Sequence, residues 1–159
     1  STKSNKGMTN LITTIQAAAE AKGYLYLEGD GRYFENNIQQ AKLIDGQCGL
    51  MINIIEMRQI MENRQFNGEE EYDVQMFLFR KFESNTYSNL SETIKEKRQN
   101  RMDDLKNKLS YFVIELTQCS DIDLISPIYR VGYNVTAANV DGWFIDCKLK
   151  LFNQWPTNN

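Results

Sequence analysis

One run constrains this chain more than any other: residues 72–155 carry a strand pattern (74–82), one long amphipathic helix (91–119) and two further strand patterns (128–137 and 143–152). Alternating apolar and polar residues mark half-buried strands, and apolar residues every three or four positions mark a helix with one buried stripe. In the helix those residues are Ile94, Met102, Leu105, Leu109, Phe112, Val113 and Leu116. About 28 residues at 1.5 Å each give ~42 Å of helix, against ~20 Å for an ordinary strand. The order predicts a sheet with a helix laid across it, the first helical turns passing beyond the sheet.

The rest of the chain fits the same α+β frame: a mixed or antiparallel sheet, one long helix across it, an N-terminal helix and a long protruding β-hairpin. Residues 1–8 form a polar tail, 9–156 a single domain and 157–159 a second tail. Thr9 caps a helix to Lys22, and Gly23 supplies the left-handed residue that ends it. Ala17, Ala18, Ala19 and Ala21 give that helix a small-residue side suited to close packing on the sheet or on another subunit. Residues 24–28 read as a short strand, 29–31 (Gly-Asp-Gly) as a turn, and 32–47 as an irregular polar stretch. Residues 49–56 are nearly all apolar, as in a central strand covered on both faces.

Asn67-Gly68 is a strong hairpin turn signal. With it, residues 57–71 form an arm whose outer ten residues reach ~30 Å at ~3.3 Å per residue. The arm carries Met57, Ile60, Met61 and Phe66, and Glu69-Glu70-Glu71 stand at its tip as an acidic patch, either a solvated turn or a dock for a basic partner. In the last two strands, Tyr129, Val131, Tyr133 and Val135, then Trp143, Ile145, Cys147, Leu149 and Leu151, mark one buried face.

Chemistry is scarce. Histidine is absent, which excludes His-based acid–base catalysis, Ser-His-Asp and Cys-His nucleophiles and His-containing zinc sites. Cys48, Cys119 and Cys147 are odd in number and far apart, which speaks for free thiols rather than a disulfide framework or a four-cysteine metal site. Net charge is -3, so no basic field draws nucleic acid. The long helix does carry Arg98 and Arg101 among other bases, but acids are interleaved and stacking aromatics are lacking in that stretch. No apolar run reaches the ~20 residues of a membrane span, and residues 1–8 have no secretory pattern. We expect no catalytic residues, metal or cofactor, and seek the function in surfaces and assembly.

The layout resembles the tail-terminator and tail-completion (head–tail joining) proteins of tailed bacteriophages. The resembling features are the opening helix (9–22), the segment Glu71-Tyr72-Asp73-Val74-Gln75-Met76-Phe77-Leu78-Phe79, and the Ser-rich loop opening the long helix at 88–91. They continue with that helix's end, Tyr111-Phe112-Val113-Ile114-Glu115-Leu116, and the strand pair joined by Asn139-Val140-Asp141-Gly142-Trp143 and closing at Trp155-Pro156. The resemblance implies a non-enzymatic virion subunit, made in the bacterial cytoplasm, that forms a ring, hexameric or dodecameric, at the tail end or neck. Its partners would be itself and neighbouring tail-tube or neck and portal proteins, with DNA only passing through the channel and no membrane. The implied contacts are the small-residue helix (Ala17, Ala18, Ala21), the hairpin (Met57, Ile60, Met61, Phe66, Glu69, Glu70, Glu71) and the outer side of the long helix (Arg98, Arg101). The other reading is a small α+β module that takes a peptide or small ligand on its sheet face or edge.

Overall fold

The first helix stops where its sequence says it must. In the computed structural model, which describes residues 6–29, 38, 43, 46–81, 92–118, 121–135 and 140–157, helix α1 runs Gly7–Ala21. Gly23 adopts φ +75°. Its N–H donates to the Glu20 carbonyl and that of Tyr24 to the Ala19 carbonyl, the paired bonds of a Schellman end. Nothing lies within 4 Å of a Cβ added at Gly23, so Gly23→Ala is expected to cost only the left-handed backbone strain, about 1 kcal/mol, read as a small drop in melting temperature.

Strand β1 (Leu25–Glu28) pairs parallel with β2 (Cys48–Glu62), and β2 pairs antiparallel with β3 (Gln65–Lys81). Helix α2 (Glu92–Gln118) follows, then β4 (Ile122–Val135) and β5 (Val140–Leu151). The strand order is β1-β2-β3-β5-β4, a mixed five-stranded sheet with β1 and β4 at its edges. The α+β class, the two helices and the strand pair at the C-terminal end are as expected from the sequence.

Both helices lie on one face. Leu11, Ile15 and Ala19 of α1 and Met102, Leu105, Leu109, Phe112, Val113 and Leu116 of α2 join Leu50, Ile52, Val74, Met76, Leu78, Ile145 and Leu149 in one core. Burying such side chains is worth about 1.5–3 kcal/mol each, enough to hold a helix whose remaining residues are mostly charged. Ile94 lies outside the residues whose side chains are described. On the opposite face Met51, Phe77, Phe79 and Val140 form a second cluster with Ile38, closed by Leu27, Leu43, Val135 and Phe144. Phe77 stacks on Phe144 with centroids 4.1 Å apart. The continuous apolar runs in β2 and β3 have this cause: their inner halves are covered on both sides.

Cys48 and Cys147 are buried free thiols. Burial pushes Cys147 up to about 12 and raises Cys48 as well. Since the thiolate is the reactive form, neither is expected to react with Ellman's reagent until the protein is unfolded. Fast labelling of the Cys119→Ser variant would contradict this.

Several expectations are corrected. The hairpin turn is not Asn67-Gly68 but Asn63-Arg64, both at positive φ (51° and 64°), with Glu62 opposite Gln65. The reason is register. A two-residue turn at Asn67-Gly68 would set Val74 opposite Met61, whereas the observed pairing sets Leu50, Ile52 and Ile54 opposite Leu78, Met76 and Val74. Apolar halves face each other and share one core, which outweighs a local turn preference. Asn67 and Gly68 instead form an irregularity inside β3, where the Asn67 Oδ1 accepts from the Glu69 N–H at 3.0 Å. The strand pattern expected at 128–137 begins earlier: β4 starts at Ile122, with a register shift between Ile125 and Ile128 and Ser126 at φ 51°.

Val131 and Tyr133, expected on the buried face, are 46% and 49% exposed. They lie on the edge strand β4, where α2 reaches Tyr133 with the Arg98 guanidinium. The helix cap at 88–91, most of 32–47, Cys119 and the 136–139 turn fall outside the described residues.

Candidate interaction surface

The arm is anchored from three sides. Its acidic run is not a tip. Glu70 is 3% exposed and accepts from the Tyr72 hydroxyl at 3.0 Å. A Cβ added at Gly7 would meet the Glu70 Oε1 at 2.7 Å and the Tyr72 hydroxyl at 2.7 Å. The first turn of α1 therefore sits directly on this carboxylate. Helix α1 has no acidic residue in its first turn and no side-chain cap at Lys6, correcting the expected Thr9 cap. A carboxylate from a distant strand supplies the negative charge that a helix start favours. Glu71 accepts from Arg58 at 2.7 Å, and Glu69 lies 3.6 Å from Lys150.

Arg58 also holds Asp73 with both nitrogens, at 2.6 and 3.2 Å. That hydrogen-bonded pair keeps the Asp73 carboxyl below its ordinary value of 3.8. A carboxyl depressed in the folded state stabilises it above the unfolded pKa and loses that contribution as pH falls through the lowered folded value. Arg58→Met is therefore expected to flatten the fall of melting temperature below about pH 4. An unchanged acid limb would show that the pair contributes nothing.

The C-terminal segment forms the third support. The Gln154 N–H donates to the Gly68 carbonyl at 2.7 Å, Trp155 lies over Gly68, and its ring meets Phe66 edge-on with centroids 5.3 Å apart. Residues 154–155 thus follow β5 along the outer half of β3 and cover that side of the arm. On the other side β1 pairs only with Gly49–Ile52. Among the described residues, β2 beyond Ile52 has no strand beside it. Met57 and Met61 of this stretch are 44% and 57% exposed, and Ile60 is half-buried.

The other implied contacts are scattered. Ala17 and Ala21 are exposed, while Ala18 packs on the core. Arg98 points inward: its Nε and Nη2 donate to both oxygens of Asp141 at 2.8 and 3.1 Å, and its guanidinium lies 4.3 Å from the Tyr133 ring centroid. Arg101 is exposed. Nearby, the Trp143 indole donates to the Met102 carbonyl at 2.8 Å. Ahead of its first described buried residue, Met102, α2 is thus tied to the sheet by the polar Arg98–Asp141 contact, and the Trp143 indole bonds the backbone of Met102 itself.

Apolar exposure is concentrated instead on Met57 and Met61 of the arm, Ile55 beside it, and Ile128, Val131 and Tyr133 of β4. Sequence reasoning missed Val131 and Tyr133 because their alternation is that of a buried strand, while Ile128 lies out of phase with them on the other face. Among the described residues, the sheet between Ile55 and Ile128 is uncovered and forms an open depression of about 340 Å³, flanked by Asp73, Asp146 and Lys148. Among the described residues no cluster of three or more Cys, Asp or Glu is placed to hold a metal, and no helix is long and apolar enough to cross a membrane. Comparison with protein-family models and with curated proteins gave no match to this chain.

Proposed function

We propose that this chain is a non-enzymatic virion subunit of a tailed phage, which forms a ring at the tail end or neck and joins head to tail or terminates the tail tube. The observation that carries the reading is the β2–β3 arm. It projects past the end of β5, where Leu151 faces Glu70, is held rigidly by Glu70, Arg58 and Trp155, and exposes Met57 and Met61. A stiff, partly apolar projection is of little use to an isolated domain and serves contact between subunits. The layout of helix, hairpin, long helix and strand pair supports the same reading. Ring partners are further copies, and axial partners are tail-tube or neck proteins, with DNA passing through the channel. Electron micrographs of the purified protein at high concentration should show annular particles with a central hole. Particles without a hole at every concentration would contradict the proposal.

The depression between Ile55 and Ile128 favours one other reading, a module that binds a peptide or small ligand on the open sheet face. In that case the protein stays small and a bound peptide perturbs Ile55 and Ile128.

A further inference from the structure

Resting on the ring reading, we propose how one copy meets the next: the outer side of α2 of one copy, at Tyr111 and Ile114, docks into the depression between Ile55 and Ile128 on its neighbour's sheet. Two bulges build that depression. In β2, Ile54 faces Val74 and Glu56 faces Asp73, so Ile55 is an extra residue. In β4, Ile125 faces Lys148 and Ile128 faces Asp146, so Ser126 and Pro127 together oppose Cys147. Val74 and Cys147 are themselves paired, and the register of β3 with β5 runs unbroken from 70 to 81. Two strands that do not touch thus gain a residue at the same rung. Bulges re-aim side chains and are features of built sites rather than defects. Here they set Ile55 and Ile128, each 61% exposed, on either side of a floor that includes Asp73, Asp146 and Lys148.

The occupant that fits is in the same chain. Tyr111 and Ile114 are 64% and 48% exposed and lie on the side of α2 away from its buried stripe. A tyrosine suits a site with aliphatic walls and carboxylates, since its ring is apolar and its hydroxyl donates. Charge agrees as well. Asp73 is held by Arg58, and Asp146 by Arg130 and Gln75. Among the described residues Lys148 forms no hydrogen bond or ion pair. One turn on from Tyr111, Glu115 keeps its side chain 50% exposed beyond its contact with Lys22, and this is the anion offered to Lys148. The two surfaces also stand back to back. Ser110 of α2 donates to the Tyr129 hydroxyl at 3.3 Å; Tyr111 follows the first and Ile128 precedes the second. Adjacent strand residues point to opposite faces, so Tyr129 meets the helix while Ile128 lines the depression. Projection and socket are the front and rear of one place in the molecule. A front-to-rear contact joins two different surfaces and repeats from copy to copy, as a ring requires, where a two-fold pair would use one surface twice. It uses no strand edge and is separate from the arm.

Cross-linking tests this. Asn107→Cys lies on α2 one turn before Tyr111, and Ser126→Cys lines the depression; both positions are exposed, and neither is the docking tyrosine or an isoleucine wall. Every chain carries Cys119→Ser, while Cys48 and Cys147 are buried. Treated with a short bismaleimide, the doubly substituted chain should give a ladder of covalent oligomers on a denaturing gel. The two single variants mixed should give a dimer and nothing larger, and each alone no cross-link. Ile55→Lys, at an exposed position, should abolish the ladder while circular dichroism stays native. A ladder that survives Ile55→Lys in a natively folded chain would overturn the proposal. An Asn107→Cys chain that links to itself would show a two-fold contact and overturn it too. Rings seen by light scattering in a doubly substituted chain that gives no ladder would overturn it and leave the ring reading standing. A wild-type chain that is monomeric throughout would overturn both.

Discussion

Asp141→Ala is expected to cost ~3–5 kcal/mol of folding stability, the range found when one member of a buried ion pair is removed. The Asp141 side chain is fully buried and that of Arg98 is only 17% exposed. The alanine leaves a guanidinium facing a low-dielectric pocket without its bidentate acceptor. The effect is larger than loss of contacts because Arg98 also fixes the first half of α2, where the next buried side chain is Met102. Urea unfolding of the variant should show the midpoint falling sharply, and amide exchange should rise first between residues 95 and 101. The pair itself need not be net stabilising, since an apolar pair of similar volume often does as well. Arg98→Met with Asp141→Leu is accordingly expected to recover most of the loss. A single-variant cost below about 1 kcal/mol, in the range of a surface pair, would show that Arg98 finds another partner or water.

Gly142→Ala should be nearly as damaging, about 3 kcal/mol, the upper part of the range for overpacking a close-packed interior. A Cβ at this position would overlap the Leu78 carbonyl oxygen and come within 2.8 Å of the Phe79 Cα. These are backbone atoms of the neighbouring central strand, so no rotamer change relieves them, and β3 and β5 must move apart. Gly49 offers the contrast. Its added Cβ would meet the Phe79 ring, a side chain that can shift against its packing on Phe77 without parting two strands. Gly142→Ala should therefore destabilise more than Gly49→Ala in thermal unfolding. The reverse order would mean that β5 yields more easily than its place between β3 and β4 suggests.

What the sequence makes legible follows from how local each signal is. The buried stripe of α2 and the terminating role of Gly23 rest on residues within a turn or two, and both agree with the structure. The alternation in β5 likewise marks its buried face correctly, because β5 is an inner strand. The same alternation in β4 misled, since Val131 and Tyr133 differ from buried residues only in lying on an edge strand, which strand order decides. The hairpin turn misled for a related reason. Asn67-Gly68 is the better local turn, but pairing 50–54 with 74–78 decides the register, and that is a property of two segments read together. That comparison was available in the sequence and points to a turn at 63–65, which two register shifts between Ile54 and Met61 bring to Asn63-Arg64. Glu70 had no such signal, because its burial depends on α1 starting above it, more than fifty residues away in the chain.

The candidate contact surface divides in the same way. Met57 and Met61 were legible as apolar residues in a polar stretch, and they are exposed. The acidic residues beside them are internal fasteners: Glu70 under α1, Glu71 on Arg58, Glu69 near Lys150. Arg98, counted among the outward bases of α2 by its spacing, turns in because Asp141 stands beneath it.

The most direct measurement is the solution mass of the wild-type protein by light scattering over a concentration series, at low and physiological salt. A ring predicts a closed species of fixed size, near six or twelve subunits, that grows in population with concentration but not in mass. It should persist at physiological salt, since contact through the exposed Met57 and Met61 of the arm is apolar and is not screened by ions. A single monomer mass at every concentration would contradict the account, and a mass that climbs without limit would show an open chain in place of a ring.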